Sequence, residues 1–242
     1  MGKSLAVSLD SRLLTAASLV REGHPVCDVG TDHGMLAVWL LQNKITDRVT
    51  ACDINAKPLA AAMRTAQKYG VEDRICLRLS DGLSAIPESE AQDIVICGMG
   101  GELIAKILSE CPYVKEKSRR LILQPMTQIP FLRRYLCSMG FDILRECATV
   151  DRRHVYTILH CAYTGRCREI DDWFAYTGKM PQEKSAAARQ WLLQESQRLS
   201  RIAKGLAAGK QAHRSAYFAA LSQRAAAVSE EMKKSNGMKS SR

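Results

Sequence analysis

No run of 18 uninterrupted apolar residues occurs in this 242-residue chain, which leaves no candidate for a membrane-spanning helix. None of its nine cysteines forms a Cys-x-x-Cys pair, and no paired Cys/His spacing exists, so a structural zinc site has no ligand set and no metal is expected. A disulfide framework is equally out of place. Cys27, Cys52, Cys76 and Cys97 all lie inside short apolar runs, the setting of buried free thiols. Asp10 and Arg12 interrupt the opening stretch where a signal peptide would be continuously apolar, so the expected location is cytoplasmic. Beyond about residue 181 no strand-like run remains, which excludes a single α/β layer pattern over the whole length.

Charge is present but unevenly placed. Of a net +10, residues 1–164 carry 20 basic against 18 acidic side chains, whereas residues 165–242 carry 15 against 7. A polyanion such as RNA would reward that basic surplus; a solvated helical face would show the same composition.

Up to residue 164, short apolar runs alternate with longer helical patterns, which predicts an α/β fold with a doubly wound, mostly parallel sheet. Strands are expected at 25–29, 49–53, 74–79, 93–97, 119–124, 141–147 and 155–162. The last two have no full helix between them and fit an antiparallel hairpin at the sheet edge. Leu59, Met63 and Ala66 share a helical face that ends at Gly70. From residue 165 a second region is expected, with two helices whose stripes are Ala188, Leu192, Leu199, Ile202, Leu206 and Phe218, Leu221, Ala225, Val228, Met232. GLAAGK, residues 205–210, supplies their turn, and the final SNGMKSSR is expected to fray.

One further absence carries the chemistry. VCDVGTDHG, residues 26–34, has the strand-to-helix context of a phosphate or nucleoside loop but lacks the usual alternating glycines, with Asp32 and His33 standing there instead. Asp53 ends the next strand, where a carboxylate can accept from both ribose hydroxyls, and Asp81 in LSDGL follows the third, placed for an adenine amino group. Any one of these acids could instead cap a helix. A pyrophosphate would be repelled by Asp28, Asp32 and Asp53, whereas the ammonium and sulfonium of S-adenosylmethionine would be attracted. Asp32 is expected to take the left-handed backbone that the missing glycine would have taken. After the fourth strand, Gly98-Met99-Gly100-Gly101 offers bare backbone to a flat base, and the Gln124 amide before Pro125 is expected to meet the same base edge.

Taken together, DVGTDHG, DINAKPLAAAMRTAQKYGVEDRICLRLSDGL, DIVICGMGGELI and LILQP resemble the bacterial tRNA adenine-22 N1-methyltransferase family over roughly residues 5–162. The resemblance implies a class I, Rossmann-like methyltransferase domain at 1–164, S-adenosylmethionine as cofactor and N1 of adenine 22 in tRNA as acceptor. Carried over by position, Asp28, Gly30, Asp32, His33 and Gly34 line the methionine end, Asp53 the ribose, and Asp81 with Gly82 the adenine, with Ile54 counted among the cofactor-binding residues. Gly98, Met99 and Gly100 border the target base beside Asp32, while Met99 and Tyr156 are candidates for the wedge that frees it. The basic helical hairpin, 165–242, would grip tRNA through Arg198, Arg201 and Lys204, aided by Arg133, Arg134, Arg152 and Arg153. Met35-Leu36-Ala37 and Asp151–Tyr156 depart from the family pattern. Two alternatives stand beside this reading: a methyltransferase of a non-tRNA acceptor, and a non-catalytic RNA-binding adaptor.

Overall fold

The computed structural model describes residues 6–237. The chain divides into two units, one built from the chain up to Arg145 with Ile158–Glu169, the other from Glu146–Thr157 with the chain from Ile170 onward.

In the first unit, helix α1 (Ser11–Ala17) precedes β1 (Val26–Val29), α2 (Met35–Gln42), β2 (Val49–Asp53), α3 (Ala56–Tyr69) and β3 (Ile75–Leu79). Then come β4 (Asp93–Gly100), α4 (Gly101–Ser109), β5 (Arg120–Thr127) and α5 (Ile129–Ser138). The chain continues through β6 (Phe141–Asp151) and β7 (His154–Tyr163), completing a seven-stranded sheet of order β3-β2-β1-β4-β5-β7-β6. Strands β1 to β5 are mutually parallel, and β7 runs antiparallel to β5. All seven expected strands are present. Strands β4, β5 and β6 run three or four residues past their expected ends, because for β4 and β5 the extra residues hold Gly98, Gly100 and Pro125, which break the apolar signal while pairing continues.

Every residue of β1 is buried, as a central parallel strand covered on both faces requires. Helix α3 buries Leu59, Ala62 and Ala66 and stops at Gly70, whose φ of +66° closes the helix from the left-handed region. From β1 the chain winds outward to β2 and β3, then returns to place β4 on the other side of β1. Such a reversal opens a crevice at the carboxyl ends of the strands.

In the second unit, α6 (Asp172–Thr177) is followed by the expected hairpin of α7 (Ala186–Ala208) and α8 (Ala212–Gly237). Leu199, Ala203, Phe218 and Leu221 form its core, with Trp173, Tyr176, Ile202 and Leu206 packed against it. The Ser196 and Ser222 hydroxyls each donate to the other's carbonyl at 2.8 Å. Ser215 donates to the Ala203 carbonyl and Ser229 to that of Arg189. These small side chains let the helices approach closely, and their hydroxyls fix the register. Of the tail expected to fray, residues 235–237 continue α8 and 238–242 lie outside the described residues.

Gly101 opens α4 where a Cβ would stand 2.6 Å from the Gln128 carbonyl oxygen and 3.0 Å from that of Thr127. Backbone cannot give way cheaply there, so Gly101→Ala lowers the unfolding free energy by about 2 kcal/mol in a urea titration. Gly70→Ala meets open space and loses about 1 kcal/mol, the backbone strain alone.

Candidate functional site

The loop after β1 is bound to β2 before any side chain contributes. The N–H groups of Gly30 and Thr31 both donate to the Cys52 carbonyl, at 2.8 and 3.0 Å. Gly30 holds φ +74°, a value that favours glycine, and the Met99 methyl lies across it, 2.2 Å from where a Cβ would be. Met99 therefore folds back on the loop. At the other end Gly34, φ +66°, presses on Ala62 of α3, with 2.8 Å between that Cβ and one added at residue 34. Between them it is His33, φ +55°, that takes the left-handed backbone. This corrects the expectation for Asp32: both are non-glycine residues, and the chain places the strain one residue later.

Asp28 sits at the end of β1, 5% exposed. Burial pushes its carboxyl up to about 6, the Thr31 hydroxyl, donating at 2.7 Å, pulls it back, and the Asp32 charge raises it further. Asp32 and His33 are exposed and lie 3.3 Å apart. Asp28, Gly30, Asp32 and His33 line a single cleft of about 450 Å³ together with Cys97, whose thiol burial and the Asp28 charge push up to about 12. Gly34 lies at the foot of the same loop as the N-cap of α2.

Asp53 and Asp81 follow along the same sheet edge, at the ends of β2 and β3. Asp53 is oriented by the Asn55 N–H, which donates to it at 2.7 Å, and Ile54 beside it is 60% exposed. An apolar side chain so exposed at a strand end is suited to cover a flat ring. Gly82 accepts from the Ser80 hydroxyl and turns at φ +55°, where a Cβ would stand 2.9 Å from Ile107. Neither acid lines the cleft itself.

Gln124 is not available to a base edge. It is fully buried, and its Oε1 accepts from Gly98 N at 3.0 Å and from Arg12 Nη1 at 2.9 Å, while Nε2 donates to the Pro125 carbonyl. The expectation fails because the amide is already satisfied inside the protein. Asp10 and Arg12, which line the cleft, escaped the sequence reading as site residues. The sequence did carry one signal of α1, an Asp10 N-cap that accepts from Leu13 N at 2.7 Å. Nothing in the sequence showed that α1 returns to the cleft.

The basic residues separate into three groups. Arg133 is fully buried, so it presents no charge to RNA; its sequence neighbour Arg134 is exposed. Arg198 is paired with Glu195 through two hydrogen bonds and lies over the Tyr176 ring, so most of its charge is already matched. Arg152, Arg153, Arg201 and Lys204 are exposed, the first two at the tip of the β6–β7 hairpin, in the same unit as α7 and α8. Among the described residues no cluster of His, Cys, Asp or Glu is arranged to hold a metal ion, and no helix is long and apolar enough to cross a membrane.

Residues 9–159 match the family described as "Methyltransferase domain". The tRNA (adenine(22)-N(1))-methyltransferase of Bacillus subtilis is 32% identical over 153 residues, spanning 63% of this chain and 64% of that protein. The crystal structure of the B. subtilis m1A22 tRNA methyltransferase superposes with a TM-score of 0.78 at 26% identity, covering 93% of this chain and 99% of that one. Sp1610 of Streptococcus pneumoniae, solved in complex with S-adenosyl-L-methionine, gives 0.79 at 26% identity and covers 90% and 100%.

The raised Asp28 pKa has a stability consequence. A carboxyl titrating near 6 when folded and near 3.8 when unfolded costs stability above pH 6, and that cost disappears as pH falls below about 4. Asp28→Asn keeps an acceptor for Thr31 and removes the charge. The variant is therefore more stable than wild type at pH 8, by on the order of 2–3 kcal/mol, and unfolds at a higher temperature. Thermal melts at pH 8 and pH 4 check this through the narrowing of the gap.

Proposed function

The chain belongs to the methyltransferase-domain family, and from that premise we propose that it transfers a methyl group from S-adenosylmethionine to N1 of adenine 22 in tRNA. The observation that supports this most is the convergence of Asp28 and Asp32 on one cleft beside Cys97 and the Gly98 loop. Two carboxylates there favour a cationic amino-acid tail over a phosphate. The donor's requirements fit the residues present: Gly30, His33 and Gly34 shape the loop against the methionine end, Asp53 faces a ribose, and Ile54, Asp81 and Gly82 an adenine.

When bound, the cofactor supplies an electrophilic methyl on a sulfonium. The rest falls to the protein. Adenine N1 already carries a lone pair, so alignment and exclusion of water matter more than a strong base. Gly98, Met99, Gly100 and Gly101 let a flat base come close to the backbone beside the cleft. The methylated base is cationic, and the Asp32 carboxylate stabilises that charge more in the transition state than in the neutral ground state. Asp28 must be ionised to attract the ammonium, so cofactor affinity falls as pH drops through about 6.

Arg152 and Arg153 at the hairpin tip, with Arg201 and Lys204 on α7, form the tRNA grip within the second unit, where scattered cations suit recognition by shape. Replacing these four with Ala weakens tRNA binding and flattens the dependence of log K on log salt by about 2–3 units. An unchanged slope in filter-binding titrations removes the second unit from the grip. For the reaction itself, incubation with methyl-labelled S-adenosylmethionine and unmodified bacterial tRNA yields label as 1-methyladenosine at position 22. Cofactor binding without label in tRNA assigns the enzyme to another acceptor.

A further inference from the structure

Gly98 interrupts the pairing of β4 with β5. Cys97 stands opposite Gln124 and Met99 opposite Pro125, so Gly98 is an extra residue with no counterpart, held at φ +82°. Such a bulge re-aims a strand but leaves an N–H without a ladder acceptor. Here the acceptor is a side chain, Gln124 Oε1 at 3.0 Å. Pro125 follows directly, holds Gln124 extended and has no N–H of its own to compete.

The orientation of that amide is fixed by chemistry. Gly98 N–H and the Arg12 guanidinium can only donate, so both require the oxygen of Gln124, and the nitrogen is left to donate to the Pro125 carbonyl at 3.0 Å. Arg12 comes from α1, 112 residues away in sequence, and reaches the same oxygen at 2.9 Å. Its other terminal nitrogen donates to Asp10 at 3.4 Å, and Asp10 in turn caps α1 through Leu13 N. Arg12 is thus clamped between a helix cap and a fully buried amide, while its side chain stays 21% exposed to the cleft. A neutral buried Gln could be satisfied by one neutral donor more. A charged fork that also borders the cleft supplies a shorter, stronger hydrogen bond and a second point of attachment.

We propose that Arg12 is a positioning residue, which acts through Gln124 to hold the Gly98 bulge in the geometry that presents Gly98–Gly101 to the acceptor. The role given to that loop rests on the methyltransferase reading above; the role given to Arg12 rests on the hydrogen bonds. Arg12 needs no contact with the reacting atoms. Its loss frees the bulge, misaligns the acceptor and leaves the acids that attract the cofactor in place.

The full chain is compared as wild type, Arg12→Ala and Arg12→Lys, with thermal melts to verify folding. If Arg12→Ala does not fold, Arg12→Lys, which keeps the charge but loses the planar fork, carries every readout. With tRNA, kcat falls on the order of 10- to 100-fold, while the dissociation constant for S-adenosylmethionine changes by less than about threefold. Added guanidinium ion restores part of the kcat of Arg12→Ala. Without tRNA or cofactor, the alkylation rate of Cys97 by iodoacetamide, followed by peptide mass spectrometry, rises severalfold in the variants, because Cys97 adjoins the freed bulge. Unchanged Cys97 alkylation overturns the proposal. So does a cofactor dissociation constant that rises in step with the loss of activity, which would make Arg12 a cofactor ligand. The alkylation readout uses no acceptor, so a wild-type protein that labels no tRNA sinks the acceptor reading while the positioning test stands.

Discussion

A carboxylate at the end of a buried parallel strand is costly, and Asp28 shows how that cost is placed. It is 5% exposed, it is supported by one hydroxyl, and its carboxyl titrates near 6. The surrounding structure keeps this charge at one position: β1 is buried between β2 and β4, and the loop that follows is hydrogen-bonded to the Cys52 carbonyl on β2. Stability lost there is returned when a cation enters the cleft, since a charge that water no longer solvates is available to a ligand. Sp1610 of Streptococcus pneumoniae was solved with such a cation, S-adenosyl-L-methionine.

Opposite this loop, the end of β4 departs from ideal sheet geometry. Met99 folds back over Gly30 and Gly98 forms a bulge, so the loop after β1 and the loop at the end of β4 restrain one another. Close approach of neighbouring chain requires residues without side chains at Gly34 and Gly101, where an added Cβ would meet Ala62 and the Thr127 and Gln128 carbonyls, whereas at Gly30 the neighbour is the end of the Met99 side chain. The irregularity is supported from inside by Gln124. A buried polar side chain that satisfies a bulged N–H fixes a local geometry that strand propensity would otherwise oppose.

The second unit follows different rules. Its helices meet through small residues and reciprocal serine hydrogen bonds, and its aromatic side chains carry cations on their faces, with Arg224 4.0 Å from the Trp173 ring centroid. The hairpin tip from Glu146 to Thr157 belongs to this unit although it is formed by strands of the sheet. Basic side chains read from sequence as one population therefore divide by environment: Arg133 is enclosed, Arg198 is matched by Glu195, and Arg201 and Lys204 face solvent.

The sequence by itself determined the strands, their parallel winding, the helical hairpin and the acids at the strand ends, because those depend on local apolar periodicity and on residues fixed at strand ends. Asp28, Gly30, Asp32 and His33 were placed together correctly, since nine consecutive residues carry them all. Tertiary structure alone decided which residue of the loop turns left-handed, where Gln124 spends its amide, and that Arg12 and Asp10 return to the cleft. Those outcomes depend on partners far apart in the chain. A hydrogen bond spanning 112 residues leaves no periodic trace, and the burial of Arg133 is set by packing that charge and helical phase do not encode.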